Sequence, residues 1–542
     1  MGLSATEDDT ASAVEHVIEL VQGLADAPVH TLRRIACRTS VTHVIQLTEA
    51  LLRLAPAQSS ASWLRCLLAE LYFIAGRPRD SLAVVAAVSG ADVPWPVAES
   101  AAVARMLSSA QLDPQGARTA ARHRIEAADR FESADPAAIA AGSVLADERA
   151  QSGDVEGALY WSRLVATHAG RVPSPFWSAH LLLKAAARLA DAGEDEQADA
   201  LCRRVREQLD PTPYPGLEAG LAHIQAKILI RRGQWATLDA RCHSVAATAT
   251  PDRAERLHAP PLLAQLSIAA LYTGDVPTAR ALLEESRRLL SERDPALRNA
   301  TAAPELLWAR LLLEEKEAGR KRVVNHLNHL LRDPRAPLRE LFATVAGSAA
   351  WAAQTAVSAG KRALAEQLAT VTEEVCALQP ARAALTAEHV RGIVRCDSVA
   401  LARVATAHRD AWAKARAAAD LATSLEAAAA LAPASRGEPG RHRDHRRLVA
   451  AATASAAPRP VILRTPTAPD GGGAQPVPPE TGWTALSERE QQVARLAAAG
   501  LTNRQIASRL LCSIHTVNFH LRSVFRKLVI DSRVRIAEHV PA

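Results

Sequence analysis

Along these 542 residues apolar positions fall in periodic runs, and Gly and Pro stand at the boundaries of the runs rather than inside them. That punctuation predicts helices throughout. A longer rhythm lies over it. Glycines stand at 76, 116, 153, 193, 233, 274, 319 and 360, with gaps of 40, 37, 40, 40, 41, 45 and 41. Seven residues before each are Ala69, Ser109, Ala146, Ala186, Ala226, Ser267, Leu312 and Ala353, and five after are Ser81, Ala121, Ala158, Ala198, Leu238, Ala279, Val324 and Ala365. Most of these are small. The pattern predicts helical hairpins in which the glycine supplies the turn and the small residues let the two axes approach. Stacked hairpins give a solenoid over residues 12–430, with a concave face fit for a peptide, a protein or a small ligand. Residues 1–11 are expected to be disordered. The stretch Ala381 to Leu431 is so rich in alanine that helix alone is expected there.

The clearest single hairpin is Leu271-Tyr-Thr-Gly-Asp-Val-Pro-Thr-Ala-Arg-Ala-Leu-Leu-Glu-Glu-Ser286. It resembles a tetratricopeptide repeat in its Gly-Asp turn and its Ala279, although that family's period is about 34 and the one here lies near 40. Longer connections carrying Pro94, Pro96, Pro173, Pro175, Pro211 and Pro213 account for the difference.

Residues 431–484 change character. Prolines crowd in, Gly471-Gly-Gly473 interrupts, and the basic run Arg441 to Arg447 reads as a solvated stretch, so a flexible linker is expected. Helical spacing then returns over residues 485–542. Ser487 and Glu490 form a capping box that opens a helix whose buried stripe is Val493, Leu496 and Ala497. Gly500 ends it. Thr502 or Asn503 caps a second helix held by Ile506, Ala507 and Leu510, where Ala507 is small at the crossing. Ser513 caps a third, anchored by Val517, Leu521, Val524 and Leu528. Two short helices joined by a tight turn, the later helix dense in donors and cations, make a helix-turn-helix. The first turns of its recognition helix enter the major groove. Asn518 matches adenine N6 and N7, Arg522 matches guanine O6 and N7, Phe519 fits a thymine methyl, and His515 lies on the same face. Thr502, Arg504, Ser513, Thr516, Arg526 and Lys527 suit phosphates.

Charge agrees with this division. Residues 485–542 hold nine Arg/Lys against four Asp/Glu and residues 433–484 hold seven against four, so the formal net charge of +6 sits entirely at the C-terminal end. That is the distribution expected if only this end meets a polyanion. The seven cysteines form no Cys-x-x-Cys pair and are expected to be buried reduced thiols. No apolar run is long enough for a membrane span and the first residues carry no signal-peptide pattern, so a cytoplasmic protein without membrane partners is expected. His326 and His329 lie one helical turn apart without an acidic or cysteine partner at ligand spacing. No nucleophile elbow or phosphate loop appears, so no enzyme, metal or cofactor is expected.

The segment from Trp483 to about Val540 resembles the LuxR-type helix-turn-helix of bacterial regulators. The resemblance rests on Leu486-Ser-x-Arg-Glu490, Gly500-x-Thr-Asn503, Ile506-Ala-x-x-Leu510, Ser513-x-x-Thr-Val517, His520, Lys527-Leu528 and Ser532-Arg533. It implies a four-helix domain, a pseudo-palindromic site on double-stranded DNA, and a homodimer made through a fourth helix, here Ser532 to His539. By position, Asn518, Phe519 and Arg522 fall where that family reads bases. Two residues depart from it: Asn518 stands where many members have lysine, and Val529 replaces the glycine that ends helix three. The whole chain resembles the large MalT-like regulators without their ATPase module, since its only Gly-Lys is Gly360-Lys361, followed by Arg362. The resemblance implies an all-α transcription regulator whose repeats receive a small-molecule or protein effector. The alternative is a helical scaffold for protein partners with secondary DNA contact.

Overall fold

The computed structural model describes residues 41–54, 58–88, 93–127, 135–209, 216–234, 257–291, 304–332, 336–431, 488–499 and 501–509, with Leu32, Tyr214, Leu238, Trp483, Leu486, Val517, Leu521, Val524, Leu528, Ile530, Arg535, Ile536 and His539. Two compact units divide the chain at Arg459 and Pro460. Every regular element among the described residues is helical. In the first unit these are α1 (Val41–Leu54), α2 (Gln58–Ile74), α3 (Pro78–Ala86), α4 (Trp95–Leu112), α5 (Pro114–Glu126), α6 (Pro136–Ser152), α7 (Val155–His168), α8 (Pro175–Asp191), α9 (Asp195–Leu209) and α10 (Leu217–Arg231). They continue with α11 (Ala259–Thr273), α12 (Val276–Ser291), α13 (Pro304–Ala318), α14 (Arg320–Arg332), α15 (Ala336–Thr344), α16 (Ser348–Ser358), α17 (Arg362–Leu378), α18 (Pro380–Arg395), α19 (Ser398–Ala407) and α20 (Ala411–Leu431). The alanine-rich end is therefore three helices, broken where Asp397 and Asp410 cap new ones.

The turns explain the rhythm. At Gly153 (φ 86°) the Gly153 N–H donates to Ala150 O at 2.9 Å and the Asp154 N–H to Arg149 O at 2.8 Å. This closes α6 with a left-handed residue, a conformation open to glycine and costly to residues bearing a Cβ. Asp154 then caps α7, its carboxylate accepting from the Gly157 N–H at 2.8 Å. Seven of the eight phased glycines take such a positive φ, between 69° and 86°. Gly116 does not. It lies inside α5, where its N–H donates to Asp113 at 3.0 Å, and Asp113 makes that turn instead. The register shifts with it, so Ser108 rather than Ser109 is the buried small residue. The turn between α18 and α19 is made by Cys396, the one described non-glycine residue with positive φ (55°). Cys396 is also exposed, against the expectation of a buried thiol, whereas Cys66 and Cys202 are buried.

Across the hairpins the small positions meet. Ser267 Oγ donates to Ala279 O at 2.8 Å and Ser81 Oγ to Ala69 O at 3.0 Å, each bridging the two helices of a hairpin. Pro96 and Pro175 start helices, where a missing N–H costs nothing. First helices of successive hairpins lie side by side, as α4 does on α6, α8 on α10 and α11 on α13. The array also curls back on itself: α15 packs on α6, and α20 touches α10. His326 does have an acidic partner, Glu314 on α13, whose Oε2 lies 2.8 Å from its Nδ1. The sequence spacing concealed this because the two sit on neighbouring helices.

Candidate nucleic-acid interface

The second unit holds α21 (Glu488–Ala498) and α22 (Asn503–Arg509). Its core is one cluster: Leu486, Val493, Ala494, Ala497, Ile506, Val517, Leu521, Val524, Leu528, Ile530 and Ile536 are all buried. On α21 the residues three and four apart fall on one face, the spacing of an amphipathic helix against a core. Leu496, expected in that stripe, is only partly buried, and Ala494 takes a fully buried place instead. Val517, Leu521, Val524 and Leu528 are helical and buried, with the spacing of one helical face.

The start of α22 is fixed by a reciprocal cap. The Thr502 N–H donates to Gln505 Oε1 at 2.8 Å, and the Gln505 N–H donates to Thr502 Oγ1 at 3.4 Å. Thr502, not Asn503, is thus the cap, and Gln505 completes a Thr-x-x-Gln box that its spacing could have revealed. The Thr502 hydroxyl also donates to Gln505 Oε1 at 3.0 Å. From α21, Gln491 Nε2 donates back to Leu486 O at 3.1 Å, and the Arg495 guanidinium lies 5.4 Å from the centre of the Trp483 ring. These two contacts, absent from the sequence argument, tie the approach segment to the first helix. Glu490 is buried.

Of the residues assigned to DNA, Thr502 is exposed at the N-terminus of α22 and Arg504 lies in its first turn. Arg495, Arg509 and Arg535 are exposed cations of the same unit. His515, Asn518, Phe519 and Arg522, with Ser513, Thr516, Arg526 and Lys527, lie outside the described residues, as do Ser487, Gly500, Leu510 and Val529 and the side chain of Ala507. Where a fourth helix was expected, Arg535, Ile536 and His539 stand in 3-10 turns, and Ile536 is fully buried in the core. Among the described residues no helix is long and apolar enough to cross a membrane.

Comparison with known proteins agrees with this geometry. The family described as bacterial regulatory proteins, luxR family, matches residues 484–540. A helix-turn-helix transcriptional regulator of Mycobacterium tuberculosis is 43% identical over 60 residues, which are 11% of this chain and 7% of that protein. The nitrate/nitrite response regulator NarP of Escherichia coli is 47% identical over 55 residues, 10% of this chain and 26% of NarP. A homologue of that response regulator in Haemophilus influenzae is 49% identical over 49 residues, 9% of this chain and 24% of that protein. The chain thus spans about a quarter or less of each of these relatives. The C-terminal unit of this chain carries a LuxR-family helix-turn-helix domain.

Proposed function

We propose that this protein is a cytoplasmic, sequence-specific DNA-binding transcription regulator whose helical array receives an effector and thereby controls the C-terminal domain. The observation that carries the reading is the capped pair α21 and α22 on a single apolar core, inside the segment that matches the LuxR family. Such a core holds a recognition helix at a fixed angle, which major-groove reading requires. In this reading Asn518, Phe519, Arg522 and His515 face bases, while Thr502, Arg504, Ser513, Thr516, Arg526 and Lys527 hold phosphates. The domain binds a pseudo-palindromic site as a homodimer. The array, far larger than dimerisation needs, is the sensing part.

The test is recovery of fragmented genomic DNA by the full chain at about 150 mM salt, a condition under which non-specific binding is weak. Enrichment of a recurrent palindrome supports the reading. Residues 481–542 alone are then compared on the same site. Affinities that differ by about 1–3 kcal/mol, the usual scale of coupling, support control by the array, and equal affinities overturn it. If neither protein enriches a site, the chain is a scaffold.

A further inference from the structure

Where the first unit curls back, its helices line a half-open cavity of about 420 Å³. Sites for small molecules occupy roughly 300–1,000 Å³. Part of the wall is apolar, from Phe73, Leu107, Leu183, Leu257 and Leu306. The rest is ionic. Lys184 Nζ bonds Asp147 at 2.6 Å, and Arg188 lies 3.3 Å from Asp147 and 3.5 Å from both Asp191 and Glu340. Lys227 is held between Asp191 and Glu305. Lys184 and Asp147 are partly exposed, whereas the side chains of Lys227, Asp191, Glu305 and Glu340 are buried, and buried charges persist only when paired. Here three Lys and Arg cations face four carboxylates, a surplus of one carboxylate that only a charged His223, 3.6 Å from Glu305, could offset.

The surplus falls on Glu340. Its ionic partner among the described residues is Arg188, which Asp147 and Asp191 already share. Burial pushes the Glu340 carboxyl up to about 7, against the pull of Arg188 and with Glu305, Asp191 and Asp147 adding to the rise. Glu305, by contrast, overcomes the cost of its burial through Lys227 and His223 and stays well below the usual carboxylate range. A second unsatisfied group lies two turns of α8 away. His180 is 4% exposed, lines the cavity, and its Nδ1 has no hydrogen-bond partner among the described residues. Its ring meets Phe73 edge to face at 5.3 Å, so this end of the cavity is aromatic. Along α8, eight residues span about 12 Å.

We propose that this cavity binds a small arylalkylammonium, its cationic head beside Glu340 and its aromatic body against Phe73 and His180. The head supplies a cation at Glu340, whose ionic partner Arg188 is already shared with Asp147 and Asp191. The proposal rests on the reading of the array as a sensor, and its test keeps the two apart. Binding of 4-phenylbutylamine, 4-phenylbutyrate and 4-phenylbutanol to the full chain is measured by calorimetry without DNA. The amine is expected to saturate at least about tenfold more tightly than the acid or the alcohol, the ratio that 1.4 kcal/mol of head-group discrimination gives. Glu340→Gln is expected to remove that preference, and Ala187→Phe, which fills the cavity without touching its charge, to abolish binding of all three. Equal binding of the three compounds, an amine preference that survives Glu340→Gln, binding unchanged by Ala187→Phe, or no amine binding by about 5 mM overturns the site. DNA affinity is then measured with and without saturating amine. A change supports the effector reading, and no change, with amine binding intact, overturns that reading and leaves the site standing.

Discussion

The indole of Trp412 in α20 stacks on the ring of Tyr272 in α11, centroids 5.4 Å apart and planes 12° apart. Trp308 completes the group, its edge against Trp412 at 5.2 Å and its Nε1–H donating to the Tyr272 hydroxyl at 2.9 Å. Gly347 lies beneath, so close that an added Cβ would stand 2.8 Å from the Trp412 ring. The last helix of the array is therefore pinned to its middle by aromatic contact. Truncation of a large aromatic leaves a cavity as well as lost burial. Trp412→Ala is expected to cost about 2–4 kcal/mol in urea unfolding, with early amide exchange over 411–431.

The hairpin turns make a matched pair of predictions. Cys396 holds φ 55° without being glycine, so Cys396→Gly should stabilise the first unit by about 1 kcal/mol. Gly274 has φ 85° and open space where a Cβ would go. Gly274→Ala therefore isolates the backbone penalty and should destabilise by about 1 kcal/mol. Chemical denaturation of both variants checks the signs, and a gain from Gly274→Ala would contradict the turn argument.

Glu340 gives a pH dependence of definite sign. Its carboxyl is pushed from the ordinary 4.5 up to about 7 in the folded chain. Between those values the folded state keeps a proton that the unfolded state has lost. Its contribution to stability therefore falls as pH rises across that window and is level above it. Relative to the parent chain, Glu340→Gln should remove a decline on the order of 2–3 kcal/mol between pH 4.5 and 7. Unfolding free energies of the two proteins at several pH values measure the difference.

For DNA, Arg522→Ala is expected to relax sequence preference at one position, at a cost of about 1–3 kcal/mol on the preferred site alone. Lys527→Ala should weaken binding to all duplexes alike and reduce the salt dependence. Competition between specific and random duplexes separates the two. Equal losses of specificity from both variants would contradict this assignment of contacts.

Thr502→Ala breaks the cap of α22 and should destabilise the C-terminal unit by about 1 kcal/mol. Thr502→Ser, which keeps the hydroxyl, should restore most of the loss in thermal unfolding.

Much of this was legible from spacing. A left-handed turn favours glycine so strongly that seven hairpin turns announce themselves. Gly116 misled because a glycine is also tolerated in a first helical turn, where Asp113 caps it, and Cys396 escaped notice because it is not glycine. In the second unit, the buried faces of α21 and of Val517 to Leu528 follow from helical period alone, while Leu496 and Ala494 changed places because the stripe is wider than one row. The cavity was not legible. Its walls come from residues as far apart as Phe73 and Glu340, brought together by the curl of the array.

The return of α15 onto α6 has a consequence for how this array comes apart. A stack in which each repeat touches only its neighbours can fray from either end, one unit at a time. Here Arg188 and Glu340 meet across 152 positions, and Gly153 lies within a methyl group's reach of Val375. Loosening either stretch exposes the other, so the early and late repeats melt together, as a closed hoop fails at once where a ladder loses rungs.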